Sequence, residues 1–173
     1  MNMSESASDL ENRQYGISFD VAKSMRYHAY RRSFFDKLDK AVKIASIGTG
    51  GATFLILASG QETWWAKVCA LFVASLTAFD IIIGFGNAAR AHDKLYRDFT
   101  LLAREIARTT ELSEAKLAEW AERRLEIEMK EPGTMDWLER ECSREEAVAR
   151  GALVNEAWNL PGWKVRLSQF VPG

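Results

Sequence analysis

Asp80 is the residue whose surroundings most call for a chemical role. It interrupts LTAFDIIIGFG, residues 76–86, a run otherwise made almost wholly of aliphatic and aromatic residues. A carboxylate in a soluble core needs a partner, and one in hydrocarbon is far more expensive and points to function. At about 100° per residue, Thr77, Asp80, Gly84 and Asn87 fall within about 80° of one another on a helix. Such a narrow polar or small stripe suits either the lining of a hydrated path or a polar contact with a neighbouring helix. One helical hairpin cannot enclose a channel, so the pore reading requires several copies in a ring.

Other candidates for chemistry fall away on spacing. GTGGAT, residues 48–53, is rich in glycine but lacks the preceding strand and the Lys-Ser/Thr pair of a phosphate loop. ECSREE, residues 141–146, has no metal-ligand spacing, and Ser143 with Glu146 reads as a local capping pair. His28 and His92 could suggest a metal site or a proton relay. Measured from the expected membrane edges, however, their levels differ by roughly 18 Å at 1.5 Å per residue, so they are not expected to meet. With no nucleophile-and-base arrangement, the chain is expected to be no enzyme and to hold no metal or cofactor. RYHAYRRSFFDK, residues 26–37, mixes cations with aromatics as a nucleic-acid groove does. Beside a membrane span it reads instead as a cationic anchor for lipid headgroups, with Arg31, Arg32, Lys40, Lys43 and Arg90 as the contacts. No nucleic-acid partner is expected.

The elements that must position these residues are set by a strong sorting of charge. The net charge of −1 hides seven Lys or Arg against two acids over 23–43, and twelve acids against six bases over 111–146. Between them, Ile44 to Ala89 carries only Glu62, Lys67 and Asp80. Two spans follow, at about 43–60 and 64–88, joined by GQETWW, whose tryptophans suit an interface. A soluble bundle with two core helices is the alternative, but neither run shows the polar face that a surface helix needs. Basic residues crowd before the first span and after the second (Arg90, Lys94, Arg97), which predicts a multi-pass protein with both termini in the cytoplasm. The two cysteines, Cys69 and Cys142, fit a reducing interior, and no secretory leader is expected at the acidic, Ser-rich N-terminus. Gly48 and Ala52 in the first span, and Ala70, Ala74 and Ala78 in the second, form small-residue ridges that let helices approach closely in lipid.

The remaining chain reads as helical. Residues 1–18 are expected to be a disordered acidic N-terminus. Residues 19–110 are the hairpin with a cytoplasmic stalk, and 111–173 a helical region with a tail. Val21, Met25, Phe34, Leu38 and Val42 recur near helical spacing, and Leu95, Phe99, Leu102 and Ile106 form a clear stripe, so the two extensions are expected to pair. A helix over about 113–130 shows Leu117, Trp120, Ala121 and Leu125 on one face and ends at EPGT. Another follows over about 135–158, with Trp137, Leu138 and Val148 as packing residues. The alternation Trp163, Val165, Leu167 suits a short edge strand or an interfacial tail. The fold class expected is therefore an all-α membrane protein, a two-transmembrane helical hairpin with long cytoplasmic helical extensions.

Three stretches resemble the SLATT domains (SMODS- and SLOG-associating two-transmembrane effector domains). RYHAYRRSFFDKLDK, 26–40, is similar to the basic-aromatic helix before their first span. FDIIIGFGNAARAHDKLYRDFTLLAREI, 79–106, resembles the end of their second span and its continuation, and the acidic helices that follow share the layout. The likeness covers 13–150. It implies an effector in the bacterial inner membrane, active in anti-phage defence, that forms pores when a partner makes a nucleotide signal. It supplies no catalytic residues. The region 111–146, net −6, is a poor surface for a cyclic oligonucleotide, so nucleotide sensing would fall to a separate partner or to the basic stalk. The leading expectation is a homo-oligomeric pore-former in the lipid bilayer that kills or arrests the cell. The alternative is a non-catalytic membrane scaffold that recruits a soluble partner.

Overall fold

The computed structural model describes residues 3–60, 64–153 and 161–167, the side chains of 3–7, 57, 83 and 165–167 excepted. Its described elements are helices: α1 Met3–Ala58, α2 Trp64–Ile83, α3 Phe85–Arg108, α4 Glu114–Glu128, α5 Asp136–Ala149 and α6 Gly162–Leu167. They divide between two compact units, one made of residues up to Arg31 and from His92 onward, the other of Arg32–Ala91.

The first unit is organised by α3. His92, Leu95, Phe99, Leu102 and Ile106 are all buried at steps of three and four, so the stripe legible in the sequence is the face that packs. Val21 joins this core from α1, with Leu10, Ile17 and Met25 partly buried against it. Within the N-terminus expected to be disordered, the described residues are helical: α1 starts at Met3, and Leu10 and Ile17 extend its apolar face by two more turns. Burying a side chain such as Phe99 contributes about 2–3 kcal/mol, enough to order a helix whose composition alone looks solvated.

Helix α4 begins where expected. Ser113 caps it, its Oγ accepting from the Lys116 backbone N–H, and Glu114 lies in the first turn beside the positive end of the helix dipole. Leu117, Trp120 and Ile127 face the core, whereas Leu125 is exposed, so the buried face is rotated away from the expected one. The indole N–H of Trp120 donates to Glu105 at 3.1 Å, which satisfies the one polar atom of a fully buried ring.

Helix α5 packs Leu138 and Cys142 against Tyr27 of α1, with Met135 alongside. The Tyr27 hydroxyl accepts from the Met135 backbone N–H at 3.0 Å, fixing the entry to α5. The helix stops at Ala149, and Gly151 takes φ +82, a conformation open to glycine; residues 154–160, the expected end of this helix, lie outside the described residues. Val148 is exposed rather than packed. Ser143 sits inside α5, with its hydroxyl donating to the Glu139 carbonyl, so it caps nothing. Glu146 instead accepts from Arg26 at 2.8 Å and from Arg150 at 2.7 Å. Burial pushes its carboxyl up, but those two guanidinium hydrogen bonds outweigh it and hold the group below its ordinary value. The tail around Trp163 is the short helix α6, not a strand.

The second unit comprises the end of α1, α2 and the start of α3. On α2 the positions that are not fully exposed are Ala66, Cys69, Val73, Leu76 and Asp80, at steps of three and four. On α1 the matching positions are Val42, Ser46, Thr49, Thr53 and Ile56, with Ala45 beside them. These two rows of less exposed positions, the inner seam of this unit, share the 3.5-residue repeat of packed helices.

Candidate functional site

The apolar segment is the first candidate. The helical stretch Trp64–Arg108 contains an 18-residue window of mean hydropathy 2.2, long and apolar enough to cross a bilayer, and none of that window is buried. Leu71, Phe72, Phe79, Ile81 and Ile82 present their side chains outward, Ile82 at 81% exposure. At the end of α1, Ile44, Ile47, Phe54 and Leu55 do the same, from 69% to 76%. Trp64 and Trp65 are exposed beside the turn, with ring centroids 4.1 Å apart.

The four stripe residues do not form one line. Helix α2 ends at Ile83, short of residue 88, because Gly84 adopts φ +64 and restarts the helix. Its carbonyl accepts from the Asn87 and Ala88 amides at 2.8 and 2.9 Å, opening α3. A uniform 100° step cannot be carried through that break. Thr77 is exposed and donates to its own Val73 carbonyl at 2.9 Å. Asn87 is exposed and accepts from Arg90 at 2.6 Å. Asp80 is half-buried on the inner seam, next to fully outward Phe79, Ile81 and Ile82. Gly86 explains its own residue type: a Cβ there would stand 3.0 Å from the Asp39 carboxylate.

The small-residue ridges point away from the intrachain seam. Gly48, Ala52, Ala70, Ala74 and Ala78 are all exposed, and a Cβ on Gly48 would meet nothing within 4 Å. Of the cations expected at headgroups, Lys40, Lys43 and Arg90 are exposed and Arg32 is half-buried. Lys40 and Lys43 lie on Asp36 and Asp39 at 2.7 Å, exposed pairs of the kind that exchange readily for phosphate. Arg31 is different. It is buried at 7% exposure, and loss of water lowers its pKa, so it is not a headgroup contact.

Arg31 belongs to the second candidate, a buried polar cluster in the first unit. His28 and His92, expected to stay apart, meet with Nδ1 atoms 2.9 Å apart. The expectation failed because levels were counted from unequal membrane edges; Gly60, at the turn, is 32 residues from each histidine. His28 is fully buried, stacks on Phe99 at 5.6 Å, and reaches Glu131 with Nε2 at 3.0 Å. Burial, then the neighbouring His28 and Arg31, push His92 down to about 4. One proton shared across the Nδ1 pair makes that hydrogen bond, whichever ring holds it. Two protons on the facing nitrogens would oppose like donors and like charges. Burial and the neighbouring charges that lower His92 therefore make the cluster resist an added proton.

Among the described residues no group of three His, Cys, Asp or Glu is placed to hold a metal ion. Cys142 is buried and its thiol is pushed up to about 12 by burial and by Glu145, which leaves it unreactive at neutral pH. No family model, curated protein or solved structure matches the chain.

Proposed function

We propose that the chain is a two-span protein of the bacterial inner membrane, with both termini cytoplasmic, that assembles into a homo-oligomer and opens a conduction path past Asp80. The observation that carries this reading is the pair of adjoining helical segments, α2 and the end of α1, whose large apolar side chains are exposed around a partly polar inner seam. Water disfavours so long an apolar surface, and hydrocarbon accommodates it. A bilayer would also leave the small-residue ridges available for contacts between chains, where close approach and not hydrophobicity drives association. Asp80, turned from the most apolar face, keeps access to water only in an assembly that hydrates its side of the helix. Thr77 and Asn87, both exposed, are the polar groups that such a path would meet above and below it. The resemblance to SLATT domains adds the biological setting: a membrane effector of defence, triggered by a separate nucleotide-signalling partner.

The second reading, a non-catalytic scaffold, is favoured by the packed helical unit built around Phe99, Trp120 and Cys142, which is a ready platform for a soluble protein. Reconstitution in liposomes separates the two. The pore reading expects ion flux per inserted oligomer that falls several-fold in Asp80→Asn while the amount inserted is unchanged. Sealed liposomes with fully inserted wild-type protein would overturn it and leave the scaffold.

A further inference from the structure

The end of the described chain holds an arrangement that neither the apolar segment nor the histidine cluster uses. Trp137 on α5 and Trp163 on α6 stand at right angles, with ring centroids 5.9 Å apart and planes at 89°. The ammonium of Lys164 lies in the corner they make, 4.9 Å from the centre of Trp137 and 5.6 Å from that of Trp163. Two indole faces thus view one cation from perpendicular directions. Trp163 is 58% exposed, so the corner opens to solvent.

We propose that Trp137 and Trp163 form a binding corner for a quaternary ammonium group, and that Lys164 occupies it as a tethered stand-in. The indole face carries the most negative quadrupole among the aromatic side chains and attracts a cation without a counter-charge. A lysine ammonium is compact and strongly hydrated, so it surrenders much hydration to sit there. A trimethylammonium group spreads the same charge over methyl surfaces, is easier to dehydrate, and presents apolar area to both rings. It is the better occupant of the same corner. The free group of a soluble choline and the headgroup of a choline lipid share this chemistry. With only two walls, affinity for the isolated ion should be on the order of millimolar.

The test uses the full chain in a maltoside detergent, with the indole N–H resonances of Trp137 and Trp163 followed by NMR. Tetramethylammonium chloride is titrated against sodium chloride at equal ionic strength. Both resonances should shift saturably with tetramethylammonium and not with sodium. Lys164→Gln removes the tethered competitor and should lower the midpoint by about two- to five-fold, the equivalent of one exposed cation–π contact. Trp163→Leu, a change at an exposed ring, should abolish the response at Trp137, and Trp137→Leu should abolish it at Trp163. Equal shifts with sodium, an unchanged midpoint in Lys164→Gln, or a response that survives Trp163→Leu would overturn the assignment. Lipid discs distinguish the sources. Shifts in phosphatidylcholine but not phosphatidylglycerol discs assign a lipid headgroup, and a response to the free ion alone assigns a soluble ligand.

Discussion

Replacing His28 with leucine should cost more than any comparable substitution at His92, because His28 serves two partners. It is fully buried, and its loss strands His92 Nδ1 on one side and the Glu131 carboxylate on the other. A buried polar atom left without its partner costs about 1–3 kcal/mol, and Glu131, at 13% side-chain exposure, belongs at the low end of that range. His28→Leu should therefore destabilise the first unit by about 2–4 kcal/mol. His92→Leu, which strands His28 Nδ1, should cost about 1–3 kcal/mol. The double variant removes both facing nitrogens and leaves only Glu131 unpaired, so its cost should fall short of the sum by about 2–6 kcal/mol. Amide hydrogen exchange over Leu95–Ile106 of α3, measured in the full chain, reads these opening free energies directly. The same measurement carries a pH dependence. The folded state holds His92 at about 4, against 6.5 for the free group, so the unfolded chain binds the proton more tightly. Stability is then complete above pH 6.5 and is lost as pH falls towards about 4, by up to about 3 kcal/mol. His92→Leu should flatten that slope. Strictly additive variants, or an unchanged slope in His92→Leu, would refute the account of the pair.

Two further expectations bear on the membrane reading. With both termini inside, a cysteine introduced at Glu62 should react with an impermeant thiol reagent from outside the cell, and one at Glu114 should not. Cys142 stays silent because its thiol is buried and shifted to about 12, so only Cys69 must first be replaced. Labelling at both sites would remove the membrane reading, and the reverse pattern would invert the topology. Gly48→Leu and Ala74→Leu should each reduce oligomer size in detergent without lowering insertion, because leucine suits lipid but blocks close approach. Oligomers of unchanged size in both variants would mean that these faces do not pack.

What could be read from sequence was whatever repeats strictly. The steps of four, three and four from Leu95 to Ile106 identify a buried face without any knowledge of its partner. The start of a helix at about residue 113 was legible, and Ser113 caps it there because its hydroxyl answers a local need of the backbone. Non-local register was not legible in the same way. His28 and His92 were misplaced by a choice of origin, since a turn, not a membrane edge, is the point about which two antiparallel helices align. Gly84 was invisible as a break because glycine is tolerated inside helices, and only its positive φ reveals the interruption. The acidic, Ser-rich N-terminus looked solvated by composition, yet Leu10 and Ile17, seven residues apart, suffice to hold it on the core. The four-residue ridges fall at exposed positions, whereas the less exposed positions of α1 and α2 recur at seven-residue spacing.

That division of labour has a consequence for symmetry. Each chain carries two different small-residue faces, Gly48 with Ala52 on α1 and the alanine row 70, 74, 78 on α2, and neither is consumed internally. Like faces meeting across a two-fold axis would satisfy one ridge and leave the other bare, so a dimer would not be saturated. Unlike faces meeting head to tail leave every added subunit with one open donor and one open acceptor, and growth ends only when the last subunit meets the first. The number of subunits is then not chosen by any residue alone. In the proposed homo-oligomer it would follow from the angle between the two faces of one chain, and a substitution that rotated one face by a few degrees would change the size of the ring before it changed the strength of any contact.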